Sequence, residues 1–98
     1  MRYRLAAHSP VLSSRDRGAR LLADLRACAL GDASIVVDFA GVLAISHSFA
    51  DEFVANLLIT EPRPVALQGM DSRVRDVVEG ALEKRDLALP GDNPLAIA

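Results

Sequence analysis

The chain has 98 residues, 51% hydrophobic and 24% charged, with Lys+Arg 11 against Asp+Glu 13 and a formal net charge of -2. A chain of this length buries roughly 60–70% of its unfolded surface, enough for one core, so a single small globular domain is expected and a two-domain enzyme is excluded. The near-neutral charge builds no broad positive field, which argues against nucleic acid and anionic membrane as partners, and one cysteine, Cys28, excludes an internal disulfide and a multi-thiolate metal site.

A reducing cytoplasm suits such a sequence. Met1-Arg2-Tyr3-Arg4 has no hydrophobic segment behind its charges, so neither a signal peptide nor a membrane span is expected. Residues 2–7 set Tyr3 and Leu5 against Arg2 and Arg4, the pattern of a half-exposed edge strand. Pro10 interrupts the ladder, Val11-Leu12 suits a second short strand stopped by Ser13-Ser14, and the two read as a β-hairpin. Over residues 14–30, Leu21, Leu22, Leu25, Cys28 and Ala29 share one helical face, with Ser13 and Asp16 at the N-terminal cap and Gly31 as the left-handed stop. That stripe makes Cys28 a small core hydrophobe rather than a reactive thiol.

Ile35-Val36-Val37-Asp38-Phe39 is a nearly continuous β-branched and aromatic run, which reads as a central α/β strand covered on both faces. Asp38 sits near its C-terminal end, where open α/β sheets place their working groups, and Gly41 turns the chain. Phe49, Ala50, Phe53, Val54, Leu57 and Leu58 then recur at helical spacing. Ser46-His47-Ser48 precede them, Asp51 and Glu52 occupy the first turn, and Ser48 to Asp51 has capping-box spacing. Pro62 and Pro64 bracket the exit to a short strand, Val65-Ala66-Leu67, bounded by Gly69. This order is a βαβ unit, whose strands are expected to lie parallel.

A last helix starts at an Asp71 cap and carries Val74, Val77, Val78, Ala81 and Leu82 on its stripe, with Gly80 inside it. The domain is expected to span residues 1–85. In the tail, residues 86–98, Pro90 and Pro94 forbid a long helix, and Leu87, Leu89, Leu95 and Ile97 are expected to pack on a groove of this chain or of a second copy. Val37, Phe39, Phe53, Leu57 and Val78 should meet in one core.

His47 with Ser46 or Ser48, and Asp38, invites a hydrolase reading. Neighbouring residues in one turn point different ways, however, and no nucleophile elbow is present. His8, His47 and the aspartates form no recognised metal motif, and no glycine-rich phosphate loop occurs, so no catalytic residue, metal or cofactor is assigned. Arg15, Arg17, Arg20 and Arg26 interleave with Asp16 and Asp24 as a solvated helix face. Arg73 and Arg75 lie at the start of the last helix, where the dipole disfavours cations, and so hint at an external anionic partner.

Val37-Asp38-Phe39-Ala40-Gly41-Val42, followed by Ala44-Ile45-Ser46-His47-Ser48-Phe49-Ala50-Asp51-Glu52-Phe53, resembles the bacterial STAS-like family of unknown function, which is related to anti-sigma factor antagonists. The resemblance runs from about residue 14 to residue 85. It implies a small α/β sandwich of STAS type, a mixed sheet with helices packed on it. In the antagonists a serine at this strand-loop-helix junction is phosphorylated by an ATP-binding partner kinase, which switches binding off, and Ser48 matches that position. The antagonists follow the serine with Gly-Leu-Gly, whereas this chain has Phe49-Ala50-Asp51.

The expectation is therefore a non-enzymatic, cytoplasmic interaction module. Its partner is a protein, either an ATP-binding serine kinase or an anti-sigma-like protein, bound through Ser46, His47, Ser48, Asp51 and Glu52, with Ser48 as the phosphorylation candidate. The competing reading is a static acidic dock: Ser48 would be committed to capping the Asp51 amide, Asp51 and Glu52 would repel a phosphate, and their carboxylates would instead receive a partner arginine. The alternatives are a small hydrolase using His47 with Ser46 or Ser48, and a structural subunit of an oligomer such as a homodimer.

Overall fold

A computed structural model describes residues 1–90 of the chain. Three strands form the main sheet in the order β1 (Arg2–Arg4), β3 (Ile35–Asp38), β5 (Val65–Gln68), and β2 (Val11–Leu12) pairs with β4 (Ala44–Ile45) in a separate two-stranded sheet. β3 and β5 are parallel, with Val37 opposite Leu67, as the βαβ order requires. The expected N-terminal hairpin does not form. A 3₁₀ turn, Leu5–Ala7, sends β1 and β2 to different partners, Tyr3 of β1 lying opposite Val37 and Leu12 of β2 opposite Ile45. Every pairing among the described residues is parallel, where a mixture of directions was expected.

Tyr3, Ile35, Val37, Val65 and Leu67 are buried on one face of the sheet. The other face is only partly covered, since Val36 and Asp38 are half-exposed and Arg2 and Arg4 exposed. A short β-branched run does not report how much of its second face is covered, and here Arg2 crosses that face to reach Asp38 and Gln68, each at 3.1 Å.

Helix α1 is Arg15–Cys28. Helix α2 is α-helical over His47–Ala50, widens to a π-helical turn over Asp51–Ala55 and resumes over Asn56–Thr60, while α3 is Ser72–Glu83. The π turn packs against both α1 and α3, so Phe53, Val54 and Ala55 are all fully buried. Tyr3 stacks on Phe53 at 6.2 Å between ring centroids and Phe53 on Phe49 at 5.5 Å, which ties the sheet to α2. Val37, Phe39, Phe53, Leu57 and Val78 share this core, as expected. The Tyr3 hydroxyl donates to Asp24 at 2.8 Å, and burial, with Asp24 beside it, pushes its pKa up.

Two sequence expectations for α1 shift by a residue or two. Its cap is Ser14, not Ser13, the Ser14 hydroxyl accepting the Arg17 amide at 3.2 Å. Of the two residues expected to end the buried stripe, Ala29 is buried but Cys28 is exposed, so Cys28 is not the core hydrophobe that the spacing implies. Gly31 is left-handed at φ 85, as the stop requires. Leu87 and Leu89 are half-buried against the core, while Leu95 and Ile97 lie outside the described residues. No helix among the described residues is long and apolar enough to cross a membrane.

Candidate functional site

The junction expected to carry function begins at the C-terminal end of β3. The Asp38 carboxylate accepts the Ala40 amide at 2.9 Å and Arg2 at 3.1 Å, closing a turn that aims the chain toward β4. Gly69, just after β5, is pressed against this turn. At φ 78 it lies so close that an added Cβ would fall 2.7 Å from the Ala40 nitrogen and 2.9 Å from the Asp38 Oδ1. Asp38 is thus a structural pin, not a free carboxylate at the sheet edge.

β4 delivers the chain into α2. The Ser46 amide donates to the Leu12 carbonyl at 2.8 Å, holding Ser46 extended at φ -82 and ψ 157, and its hydroxyl then accepts the Phe49 amide at 3.0 Å. The cap is therefore Ser46 and not Ser48. Ser48 falls inside the first turn, exposed, and its hydroxyl makes no hydrogen bond among the described residues. His47 is exposed, with Nε2 3.5 Å from where a Cβ on Gly80 of α3 would lie, and neither serine hydroxyl is bonded to its imidazole.

Asp51 and Glu52 do not stand free. Arg15 reaches Asp51 at 2.7 Å and Glu52 at 3.3 Å, and Arg85 grips Asp51 with two nitrogens, each at 3.0 Å. Asn56 adds a bond to Glu52 at 2.8 Å. The Arg85 and Arg15 guanidiniums hold the Asp51 carboxyl below its ordinary range. The expected bare acidic pair is in fact a charge-compensated knot joining α1, α2 and the end of α3. Sequence reading missed it because Arg15 and Arg85 stand 36 and 34 positions from Asp51, beyond any local spacing rule. A second unforeseen clamp is Arg63, which pairs with Glu61 at 2.6 Å and donates to the Ala29 and Asp32 carbonyls, fastening the end of α1 to the segment before β5.

Among the described residues no group of His, Cys, Asp and Glu is arranged to hold a metal ion. What the junction offers chemically is a Ser48 hydroxyl without a hydrogen bond among the described residues, in the first turn of α2, beside the exposed His47 and near the exposed Leu43.

The chain has no match among the curated proteins or the solved structures. A family model does match residues 17–68, a span that runs from the first turn of α1 to the end of β5 and contains the whole Asp38 to Ser48 junction. With the parallel β3-α2-β5 unit at its centre, the chain belongs to the family described as STAS-like domain of unknown function (DUF4325).

Proposed function

We propose that this chain is a non-enzymatic regulatory module of the bacterial cytoplasm. It binds a protein partner through residues 42–48 and the start of α2, and phosphorylation of Ser48 by an ATP-binding serine kinase ends the complex. The observation that carries this reading is the division of labour between two serines: Ser46 is spent on the cap, and the Ser48 hydroxyl is exposed and has no hydrogen bond among the described residues. A phosphate there would add ~1.5 to 2 negative charges to a contact surface, enough to break it by desolvation and repulsion. Compensation of Asp51 by Arg15 and Arg85 supports the same reading, since a phosphate one turn earlier would meet a neutralised carboxylate. It also weighs against the acidic dock, whose carboxylates are already engaged within the chain.

The test uses the protein and its Ser48→Ala and Ser48→Asp variants as bait for proteins of the native cell. One ATP-binding protein retained by the unmodified chain and by Ser48→Ala, lost by Ser48→Asp, and placing phosphate on Ser48 when ATP is added, is the expected outcome. Equal capture by all three, or phosphate on another residue, refutes it.

A further inference from the structure

Beside the junction, β4 and α3 enclose a groove of about 200 Å³ lined by Leu43, Ala44, Ile45, Arg73, Val74 and Val77. Its floor is core, with Ile45 8% and Val74 1% exposed, whereas Leu43 at its lip is 67% exposed. An open leucine over an apolar groove marks a contact surface. The volume lies below the roughly 300–1,000 Å³ of small-molecule pockets and suits one inserted side chain.

Among the described residues, the one charged side chain lining the groove is positive, that of Arg73. Arg73 is exposed and makes no hydrogen bond or ion pair among the described residues, in contrast to Arg75, which pairs with Glu79 at 2.9 Å. The acids nearest Arg73 in sequence do not serve it. Asp71 is the cap of α3, its carboxylate accepting the Val74 amide at 2.9 Å, and Asp76 is exposed and makes no ion pair among the described residues. Arg73 also occupies the first turn of α3, where the helix dipole disfavours a cation. An unpaired guanidinium in an unfavourable position, at the rim of an otherwise apolar groove, is complementary to a carboxylate brought by something else.

We infer that this groove binds a segment of a partner protein that presents an apolar side chain with an Asp or Glu close to it. The apolar side chain seats on Ile45, Val74 and Val77 beneath Leu43, and the carboxylate pairs with Arg73. This rests on the interaction reading above and gives the partner's contacting segment its chemistry. Because Ile45 leads directly into Ser46-His47-Ser48, a segment seated there lies beside the switch serine.

The test selects a random linear peptide library, displayed on phage, against the full chain, and titrates the strongest binder into isotope-labelled protein followed by amide NMR. The expected binder carries an apolar residue beside an Asp or Glu, shifts Leu43, Ile45, Val74 and Val77, and loses about tenfold or more in affinity on Arg73→Glu. Replacing the peptide's acid by lysine should restore binding to Arg73→Glu. That variant places a carboxylate where the helix dipole favours it, so its loss of binding is not a loss of folding. Leu43→Asp, at an exposed position, should abolish binding as well. No binder, binders without an acid, or affinity indifferent to Arg73→Glu would overturn the inference. Ser48→Asp separates the two readings: a binder that depends on Arg73 but holds Ser48→Asp as tightly as the unmodified chain upholds the groove and removes the switch.

Discussion

Gly69→Ala tests whether the turn after β3 is built as described. At φ 78 any L side chain adds about 1–2 kcal/mol of backbone strain. The new Cβ would also lie 2.7 Å from the Ala40 nitrogen, which is backbone, and 2.9 Å from the Asp38 Oδ1, a side-chain atom held in place by the Ala40 amide it accepts. Relief requires the Asp38 to Ala40 turn to open, which forfeits a hydrogen bond to a carboxylate worth about 1.5–3 kcal/mol. The expected loss is about 3–5 kcal/mol, a large share of the roughly 5–15 kcal/mol that a domain holds. Gly31→Ala is the control: its φ is 85, but nothing lies within 4 Å of the added Cβ, so strain alone, about 1–2 kcal/mol, is expected. Urea unfolding of both variants measures the difference. Equal losses, or less than about 2 kcal/mol for Gly69→Ala, would refute the close packing of β5 on the turn that aims the junction.

Two further outcomes follow from the site. Ser46→Ala should cost about 1 kcal/mol, which lowers Tm by roughly 4–8 °C in a domain of this size, whereas Ser48→Ala should stay within about 0.5 kcal/mol; thermal denaturation showing the reverse order would return the cap to Ser48. Asp51 has a lower pKa in the folded than in the unfolded chain, so its contribution is present above its unfolded value and lost as pH falls through the folded one. Asp51→Asn should therefore flatten the decline of urea midpoints below about pH 4, and an unchanged acid limb would mean that the pairs with Arg15 and Arg85 do not persist in solution.

The serines show where local reading stops. At both α1 and α2 two serines stand near the helix start, and spacing favoured Ser13 and Ser48, whereas Ser14 and Ser46 hold the caps. A cap is set by which residue the preceding segment leaves outside helical geometry. For α2 that is decided by the Ser46 amide bonding to Leu12 of β2, a strand that precedes α1 and is far from Ser46 along the chain. Cys28 failed for a related reason: a periodic stripe identifies the side of a helix that faces inward, but burial at each turn depends on what lies opposite.

By itself the sequence determined the three helices, the parallel pairing of β3 with β5 and the shared core of Val37, Phe39, Phe53, Leu57 and Val78. Side-chain period and crossover geometry are properties of the local backbone and need no partner to be read. The tertiary structure alone decided that β1 and β2 part company, that Asp51 is held by Arg15 and Arg85, and that among the described residues Arg73 and the Ser48 hydroxyl have no partner. Each of these depends on groups far apart in the chain being brought within a few ångströms, and that proximity is set by packing, to which spacing along the sequence is blind.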